Sequence, residues 1–208
     1  TDQMSAICVS CHDMDGWNSA SHATSRKRTT GRTVDPDEQL PYASVRDNGC
    51  SNCHRIHSAT ERIWIVTPYF LPDETLMLAL QIAKHKGLDV KLITPKQSDH
   101  IVADLSRSSY MRELQEEGID LVLYKGSILH AKAILFDNSA VMIGSVNIDN
   151  RSLLLNYEAV SFAYSETIIG EIEAWMERFI HNAETRMPEA SRVRRIIENF
   201  MRILAPQL

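Results

Sequence analysis

The pattern of hydrophobic and polar positions changes near residue 60. Beyond that point, short apolar runs alternate with stretches whose apolar residues recur at helical spacing. The spacing predicts strand 63–66, helix 73–87 with Asp73 as its N-cap, strand 90–93, helix 101–117 and strand 119–124. Alternation of strands with helices predicts an α/β fold with a mixed, mostly parallel sheet flanked by helices.

The rest of the chain continues this alternation. Strands are expected at 130–136, 141–143 and 156–164, with a turn at 137–140, and helices at 168–179 and 192–204. In the first of these helices, Ile172, Trp175, Met176 and Phe179 form a stripe that is expected to face the core. The second helix carries four arginines beside an apolar stripe, so it suits either a membrane surface or packing on the domain with a solvated basic edge.

Residues 1–59 have a different composition and are expected to form a small irregular segment, with residues 60–208 as the second domain. The first 60 residues contain all four cysteines and fourteen Ser or Thr residues, but few large apolar ones. So little apolar surface cannot build a core unaided. This segment therefore needs a metal, a cofactor or disulfides to be ordered.

The cysteines form two C-x-x-C-H motifs, Cys8–Cys11–His12 and Cys50–Cys53–His54. Two thioether bonds and an axial imidazole require this arrangement in covalently attached haem, whereas a zinc site does not require a histidine after each pair. Haem is therefore favoured, with zinc and disulfides as the alternatives.

The segment from about residue 5 to 59 resembles a fragment of a multihaem c-type cytochrome. The resemblance implies two c-type haems attached at the four cysteines, with iron bound by His12 and His54. It also implies a second axial histidine, for which His22 is the candidate. Attachment of haem would place the protein on the extracytoplasmic, periplasmic face of a bacterial membrane. Electron transfer is then an alternative function.

The composition of the whole chain limits the classes of function and location that the protein could have. The 208 residues carry a formal net charge of -5 and include 44% hydrophobic residues, so no global basic field indicates a nucleic-acid partner. No apolar run reaches the roughly 18 residues of a membrane span, and no signal peptide is apparent. The sequence suits a trimmed soluble piece that could contact a membrane peripherally.

A third set of residues carries phosphoryl-transfer chemistry. His130 and Lys132 are two positions apart in a predicted strand, so their side chains share one face, and Asp137, Ser145 and Asn147 follow. An imidazole can attack phosphorus, while a cation and short polar donors stabilise the phosphate oxygens. This set requires no metal, and no cofactor is expected for phosphoryl transfer.

The pattern H-x-K-x4-D-x6-G-S-x-N resembles the signature of the phospholipase D superfamily. From about residue 56 to 208 the chain is most similar to the C-terminal half of bacterial cardiolipin synthases, through the segments 65–73 and 147–158. The resemblance implies that His130 is the nucleophile or general acid, that Lys132 and Asn147 bind phosphate, and that Ser145 supports them. Asp137 would be structural. Glu158 would orient the histidine through its other ring nitrogen.

One histidine cannot both attack phosphorus and protonate the leaving oxygen on the opposite side in the same step. The sequence contains a single H-x-K motif. Either two copies form a homodimer, or the chain is half of an enzyme. The predicted function is phosphatidyl transfer through a phosphohistidine, acting at a membrane surface on a phospholipid such as phosphatidylglycerol. A phosphodiesterase or nuclease of the same superfamily is the other alternative.

Overall fold

The computed structural model describes residue 56 and residues 59–98, 101–126, 129–154, 156–181 and 183–204. Within these residues the following strands occur: β1 (Arg62–Val66), β2 (Phe70–Leu71), β3 (Asp89–Pro95), β4 (Asp120–Tyr124), β5 (Ala133–Phe136), β6 (Ala140–Gly144), β7 (Ile148–Asp149), β8 (Val160–Ala163) and β9 (Ala183–Glu184). The helices are α1 (Glu74–His85), α2 (Ile101–Glu116), α3 (Asn150–Leu154), α4 (Glu166–Ile180) and α5 (Arg192–Leu204).

Seven strands form one mixed sheet in the order β8-β6-β5-β1-β3-β4-β9. Pairing is parallel between β1, β3 and β4 and antiparallel where β5, β6, β8 and β9 join. A separate parallel pair joins β2 to β7. The expected class, a mixed α/β sheet flanked by helices, is confirmed. Two of the six pairings in this sheet are parallel, both in its strand-helix-strand part, so parallel pairing is less extensive than the mostly parallel sheet expected.

Both faces of the sheet are covered, as the alternation of side chains in β1 illustrates. Ile63 and Ile65 join the core that α1 and α2 form on one face. Trp64 and Val66 join the core on the other face, where Met176 of α4 is fully buried. The predicted stripe on α4 is confirmed, since its other three members pack against this second core. A strand buried on both faces reads as a continuous apolar run, as this one does.

The helix boundaries follow from local chemistry. The Asp73 carboxylate accepts a hydrogen bond from the Leu76 N–H at 2.8 Å, which caps the N-terminus of α1. Gly87 and Gly118 follow α1 and α2 with φ values of 92° and 80°. Only glycine adopts this conformation without strain, so both helices end where the sequence predicted.

Several boundaries differ from the sequence expectation. Strand β5 begins at Ala133, so His130 and Lys132 lie in the segment before it, and β8 begins at Val160 rather than at residue 156. The short elements β2, β7, β9 and α3 were not expected. Each has two to five residues, too few to show a period in the sequence.

Candidate active site at one edge of the sheet

The topology brings the predicted phosphoryl-transfer residues other than Asp137 to one edge of the sheet. Strands β1, β3 and β4 are parallel, so their carboxyl ends meet there. Strand β5 runs antiparallel to β1, so the segment before Ala133 lies at the same edge. The end of β6 and the start of β8 join them through the pairs Ala133–Ile143 and Gly144–Val160. Ligands of open α/β sheets commonly bind beyond the carboxyl ends of the strands.

The His130 side chain is exposed and lines an open cavity of about 700 Å³ at this edge. Loops after three strands form much of the wall: Pro68 and Tyr69 after β1, residues 96–98 after β3 and Lys125 after β4. The volume accommodates a substrate of some tens of atoms. The imidazole is therefore accessible to a ligand in this cavity.

Lys132 lies beside His130 and is partly withdrawn from solvent. Its Nζ donates a hydrogen bond to the carbonyl oxygen of His130 at 3.0 Å. Burial lowers the pKa of Lys132, and the nearby carboxylates of Glu158 and Asp149 oppose this shift. A partly desolvated ammonium gains more from a bound phosphate than a fully exposed one does.

Ser145 and Glu158 form a hydrogen-bonded network between the end of β6 and the approach to β8. Ser145 Oγ donates to one carboxylate oxygen of Glu158 and accepts from the Ala159 N–H at 3.1 Å. Asn156 Nδ2 donates to the other oxygen of Glu158 at 3.3 Å. The hydrogen bonds of Glu158 among the described residues thus go to Ser145 and Asn156. The contact between Glu158 and the His130 ring stays a prediction.

Asn147 lies between β6 and the short helix α3. Its Nδ2 donates to Ser152 Oγ at 3.4 Å, and Ser152 is held by its own N–H, which donates to Asp149 Oδ1 at 2.6 Å. Asn147 Oδ1 is buried and has no hydrogen-bond partner in the part of the chain that the structure describes. A buried acceptor without a partner costs roughly 1–3 kcal/mol, which a ligand donor would recover.

Asp137 is the one member of the motif that lies at the opposite edge. It follows β5, and at about 3.3 Å per residue the segment from His130 spans roughly 20 Å. The carboxylate accepts hydrogen bonds from the backbone N–H groups of Thr60, Glu61 and Arg62 at 2.8–3.2 Å. Burial opposes ionisation of Asp137, but these bonds outweigh it, so its pKa lies below the usual range. The arrangement ties the start of β1 to the β5–β6 turn.

Arg107 supports the cavity and was missed by the sequence expectations. This α2 residue is 1% exposed, and its Nη2 donates to the carbonyls of Pro95 and Lys96 at 2.8 and 3.2 Å. Its Nε forms an ion pair with Asp104 at 2.8 Å. Burial lowers the pKa of Arg107, and Asp104 opposes this shift. An arginine at a core-facing position of a helix was the signal available in the sequence.

Two further cations border the cavity. Lys96 and Lys125 both line it, and both pair with the Glu184 carboxylate on β9, at 2.7 and 3.1 Å. These three residues come from distant segments, which explains why no local pattern announced them. The border therefore carries one more positive than negative charge.

No cluster of three or more His, Cys, Asp or Glu side chains suited to a metal occurs within the described residues. The predicted haem-attachment residues Cys8, Cys11, Cys50 and Cys53 lie outside these residues, as do His12, His22 and His54. No helix in the described part of the chain combines the length and the apolar character that crossing a membrane requires.

Comparison with known proteins connects this geometry to a family. Residues 53–180 match the family described as "Cardiolipin synthase, PLD-like domain". Cardiolipin synthase 1 of Bacillus cereus is 37% identical over 155 residues, which are 73% of this chain and 30% of that protein. The chain thus spans less than a third of the length of this curated relative.

Two solved structures share the fold. The phospholipase D family member Nuc from Salmonella typhimurium has a TM-score of 0.57 and 25% identity, over 67% of this chain and 90% of that one. NucT from Helicobacter pylori has a TM-score of 0.64 and 20% identity, over 72% of this chain and all of that one. With its H-x-K motif at one edge of a mixed sheet, the chain belongs to the PLD-like domain family of cardiolipin synthases.

Proposed function

We propose that this chain is a phosphatidyltransferase of the cardiolipin synthase type, with His130 as the nucleophile that forms a phosphohistidine. The substrate is a phospholipid such as phosphatidylglycerol, taken from a membrane surface, and phosphoryl transfer itself uses no cofactor. The relatives named as cardiolipin synthases support this substrate class. A homodimer completes the site.

One observation carries the proposal: the exposed imidazole of His130 lines a large cavity, and the partly buried ammonium of Lys132, two residues along the same segment, donates to the His130 backbone carbonyl. A nucleophile must be accessible, whereas a cation that stabilises charge on phosphate is most effective where water is partly excluded. His130 and Lys132 meet these two opposite requirements from neighbouring positions in one segment.

The reaction takes place in two displacements at phosphorus. In the first, a ring nitrogen of His130 forms a bond to phosphorus while the bond from phosphorus to a glycerol oxygen breaks, and a second histidine supplies the proton to that oxygen. In the second, the acceptor hydroxyl attacks phosphorus, its proton passes to the second histidine, and the phosphorus–nitrogen bond breaks. Lys132 and Asn147 hold the phosphate oxygens, and Ser145 supports them together with Glu158.

The second histidine comes from the same position of another copy. A two-fold axis through the cavity would bring two His130 side chains to opposite sides of one phosphorus. The chain covers 90% of Nuc and all of NucT in the structural comparison, so a unit of about this size forms a whole chain in those structures. The fold thus occurs there with one unit in each chain, an arrangement that is compatible with the pairing of two copies proposed here.

The test is phosphatidyl transfer by the purified chain on radiolabelled phosphatidylglycerol vesicles, over a range of protein concentrations. The chain is mixed with His130→Ala at equal amounts and constant total concentration. If both histidines of a dimer are needed, random exchange leaves activity at about one quarter of the unmixed level. If a monomer acts alone, about one half remains, and the two-copy proposal is wrong.

His85→Ala is the matched control, because His85 is an exposed histidine on α1 whose only described pairing is with Glu117. This variant should retain full activity, and its equal mixture with the wild type should be as active as the wild type alone. Label on the protein that survives alkali but not acid, and that is absent from His130→Ala, would support the phosphohistidine. Transfer unaffected by His130→Ala would refute the mechanism. Cleavage of single-stranded DNA in place of lipid transfer would favour the nuclease alternative.

A further inference from the structure

Helix α5 packs with its polar face inward. Glu198 is 1% exposed and pairs with Arg112 of α2 at 2.8 Å and with Arg194 at 2.9 Å. Arg202, one turn farther along α5, pairs with Glu113 of α2 at 2.6 Å. Hydrogen bonds from Ser109 to Asn199 and from Ser106 to the Met201 carbonyl complete the contact. The interface between α2 and α5 is therefore largely ionic and hydrogen-bonded.

The apolar face of α5 points to solvent instead. Val193, Ile196, Ile197 and Phe200 follow the i, i+3, i+4, i+7 spacing of one helix face, and we call them the α5 stripe. They are 67%, 68%, 46% and 61% exposed. In a surface helix of an isolated domain, such a stripe faces the core. A contiguous row of exposed large apolar residues marks a surface that binds something.

The charges beside the stripe indicate which partner fits. Arg192 and Arg195 are exposed, and the only described pairing of Arg195 is a weak one, at 3.8 Å to the exposed Glu116. Glu198 is the only acidic residue of α5, and two arginines already pair with it. A second copy of α5 would therefore offer no free carboxylate to these arginines. An anionic surface would match them.

We propose that α5 docks on an anionic phospholipid bilayer, with the α5 stripe inserted between headgroups and with Arg192 and Arg195 at the level of the phosphates. Interfacial helices that lie in the plane of a membrane combine these two features, a large apolar stripe and flanking basic residues. This inference goes beyond the proposed reaction, because it concerns a surface outside the H-x-K motif and applies equally to a catalytically inactive variant.

One loop connects the surroundings of α5 with the active-site cavity. Arg194 lines a cavity of about 470 Å³, together with Lys96, Gln97 and Ser98. The same three residues of the loop after β3 also line the cavity of His130. The two cavities adjoin through this loop. The loop after β3 therefore links the inward-facing side of α5, at Arg194, to the cavity of His130.

The experiment is co-sedimentation of the full chain with vesicles of phosphatidylcholine alone and with 30% phosphatidylglycerol. The variants are Ile196→Ser/Phe200→Ser, and Arg192→Gln/Arg195→Gln. The apolar double variant should lower the partition coefficient at least tenfold on anionic vesicles. The arginine variant should weaken binding to anionic vesicles and leave the weak binding to phosphatidylcholine unchanged, and 0.5 M salt should act in the same direction.

Leu78→Ser/Ile168→Ser is the matched control, since both residues are exposed large hydrophobics on other helices, at 43% and 38%. It should bind as the wild type does. His130→Ala should also bind normally, so failure of the reaction and failure of the docking remain distinguishable. The proposal is refuted if this control loses as much vesicle binding as Ile196→Ser/Phe200→Ser does. It is also refuted if Ile196→Ser/Phe200→Ser loses no vesicle binding. A dimer in sedimentation velocity that Ile196→Ser/Phe200→Ser dissociates without any effect on vesicle binding would refute it as well.

Discussion

The hydrogen bonds of Asp137 lead to a prediction that separates a structural role from a catalytic one. Asp137 has φ of 51°, a conformation that asparagine tolerates, so Asp137→Asn removes the charge without adding backbone strain. The amide oxygen can still accept bonds from Glu61 and Arg62. The amide nitrogen would face the N–H and the hydroxyl of Thr60, which donate to the second carboxylate oxygen at 3.1 and 3.4 Å.

The expected loss of stability follows from these contacts. A hydrogen bond to a charged group contributes about 1.5–3 kcal/mol, but Thr60 and Glu61 are accessible to water, which partly replaces it. Asp137→Asn should therefore lower the free energy of unfolding by about 1–2 kcal/mol, or Tm by roughly 2–8 °C for a chain of this size. Urea titration followed by tryptophan fluorescence measures it, because Trp64 and Trp175 pack in the core on the α4 face.

The pH dependence has a definite sign. The pKa of Asp137 is lower in the folded protein than in the unfolded chain, so its contribution is fully present above the unfolded value of about 3.9. The contribution is lost as the pH falls through the folded pKa. The stability difference between wild type and Asp137→Asn should thus be constant near pH 7 and shrink below about pH 4. A difference that grows in acid would refute this account.

Asp120→Asn is the matched control, because Asp120 is an exposed aspartate at the start of strand β4 of the same sheet. It should change stability by less than about 0.5 kcal/mol. The folded fraction of Asp137→Asn should keep its activity within about twofold, since Asp137 lies at the sheet edge opposite His130. A loss of activity of a hundredfold or more with unchanged stability would show that Asp137 acts in the reaction.

Three further changes test other parts of the molecule. Lys132→Met should lower kcat/KM by roughly tenfold to 150-fold, the value of a charge-assisted bond to phosphate, and Lys132→Arg should recover part of it; equal activity of both variants would exclude a role for the charge. Glu198→Ala should destabilise the packing of α5 against α2 by about 3–5 kcal/mol, because it leaves the partly buried Arg112 without its carboxylate partner. Accelerated hydrogen exchange confined to α5 would report this loss. Coexpression with a cytochrome maturation system should give a c-type band in the reduced-minus-oxidised spectrum. Loss of that band after Cys-to-Ser changes in both C-x-x-C-H motifs would locate the haems at these cysteines. Absence of the band from the unmodified chain would exclude c-type haems.

The sequence predicted the long elements well because their signals are local. An apolar β-branched run, a capping aspartate and two glycines set the limits of β1, α1 and α2 within a residue or two. The same signals predicted the mixed α/β class. The two-residue strands carry no period, and the antiparallel pairing of β5 with β1 depends on long-range contacts. Neither could be obtained from spacing alone.

The candidate site likewise has a part that local sequence signals predict and a part that depends on long-range contacts. The H-x-K motif is local, so its residue types and spacing, together with the resemblance to the phospholipase D signature, identified it, although His130 and Lys132 precede the strand to which they were assigned. Arg107 and Lys125 come from segments that approach the cavity only in the folded chain. Their contribution follows from the three-dimensional arrangement. The bonds from Ser145 and Asn156 to Glu158 likewise could not be obtained from the sequence.

Helix α5 shows why an amphipathic pattern does not by itself give an orientation. The sequence fits a helix with an apolar stripe facing either the domain or an outside surface, because spacing fixes the angle between the faces and not which one is inward. The buried Glu198, held by Arg112 and Arg194, decides it: turning the helix over would expose these ion pairs and bury Ile196 and Phe200 against the polar surface of α2. Breaking a buried ion pair costs more than the pair contributes to stability, so these ion pairs strongly oppose rotation of α5 about its axis. The ion pairs therefore keep the apolar stripe exposed, where only a partner outside the described fold can cover it.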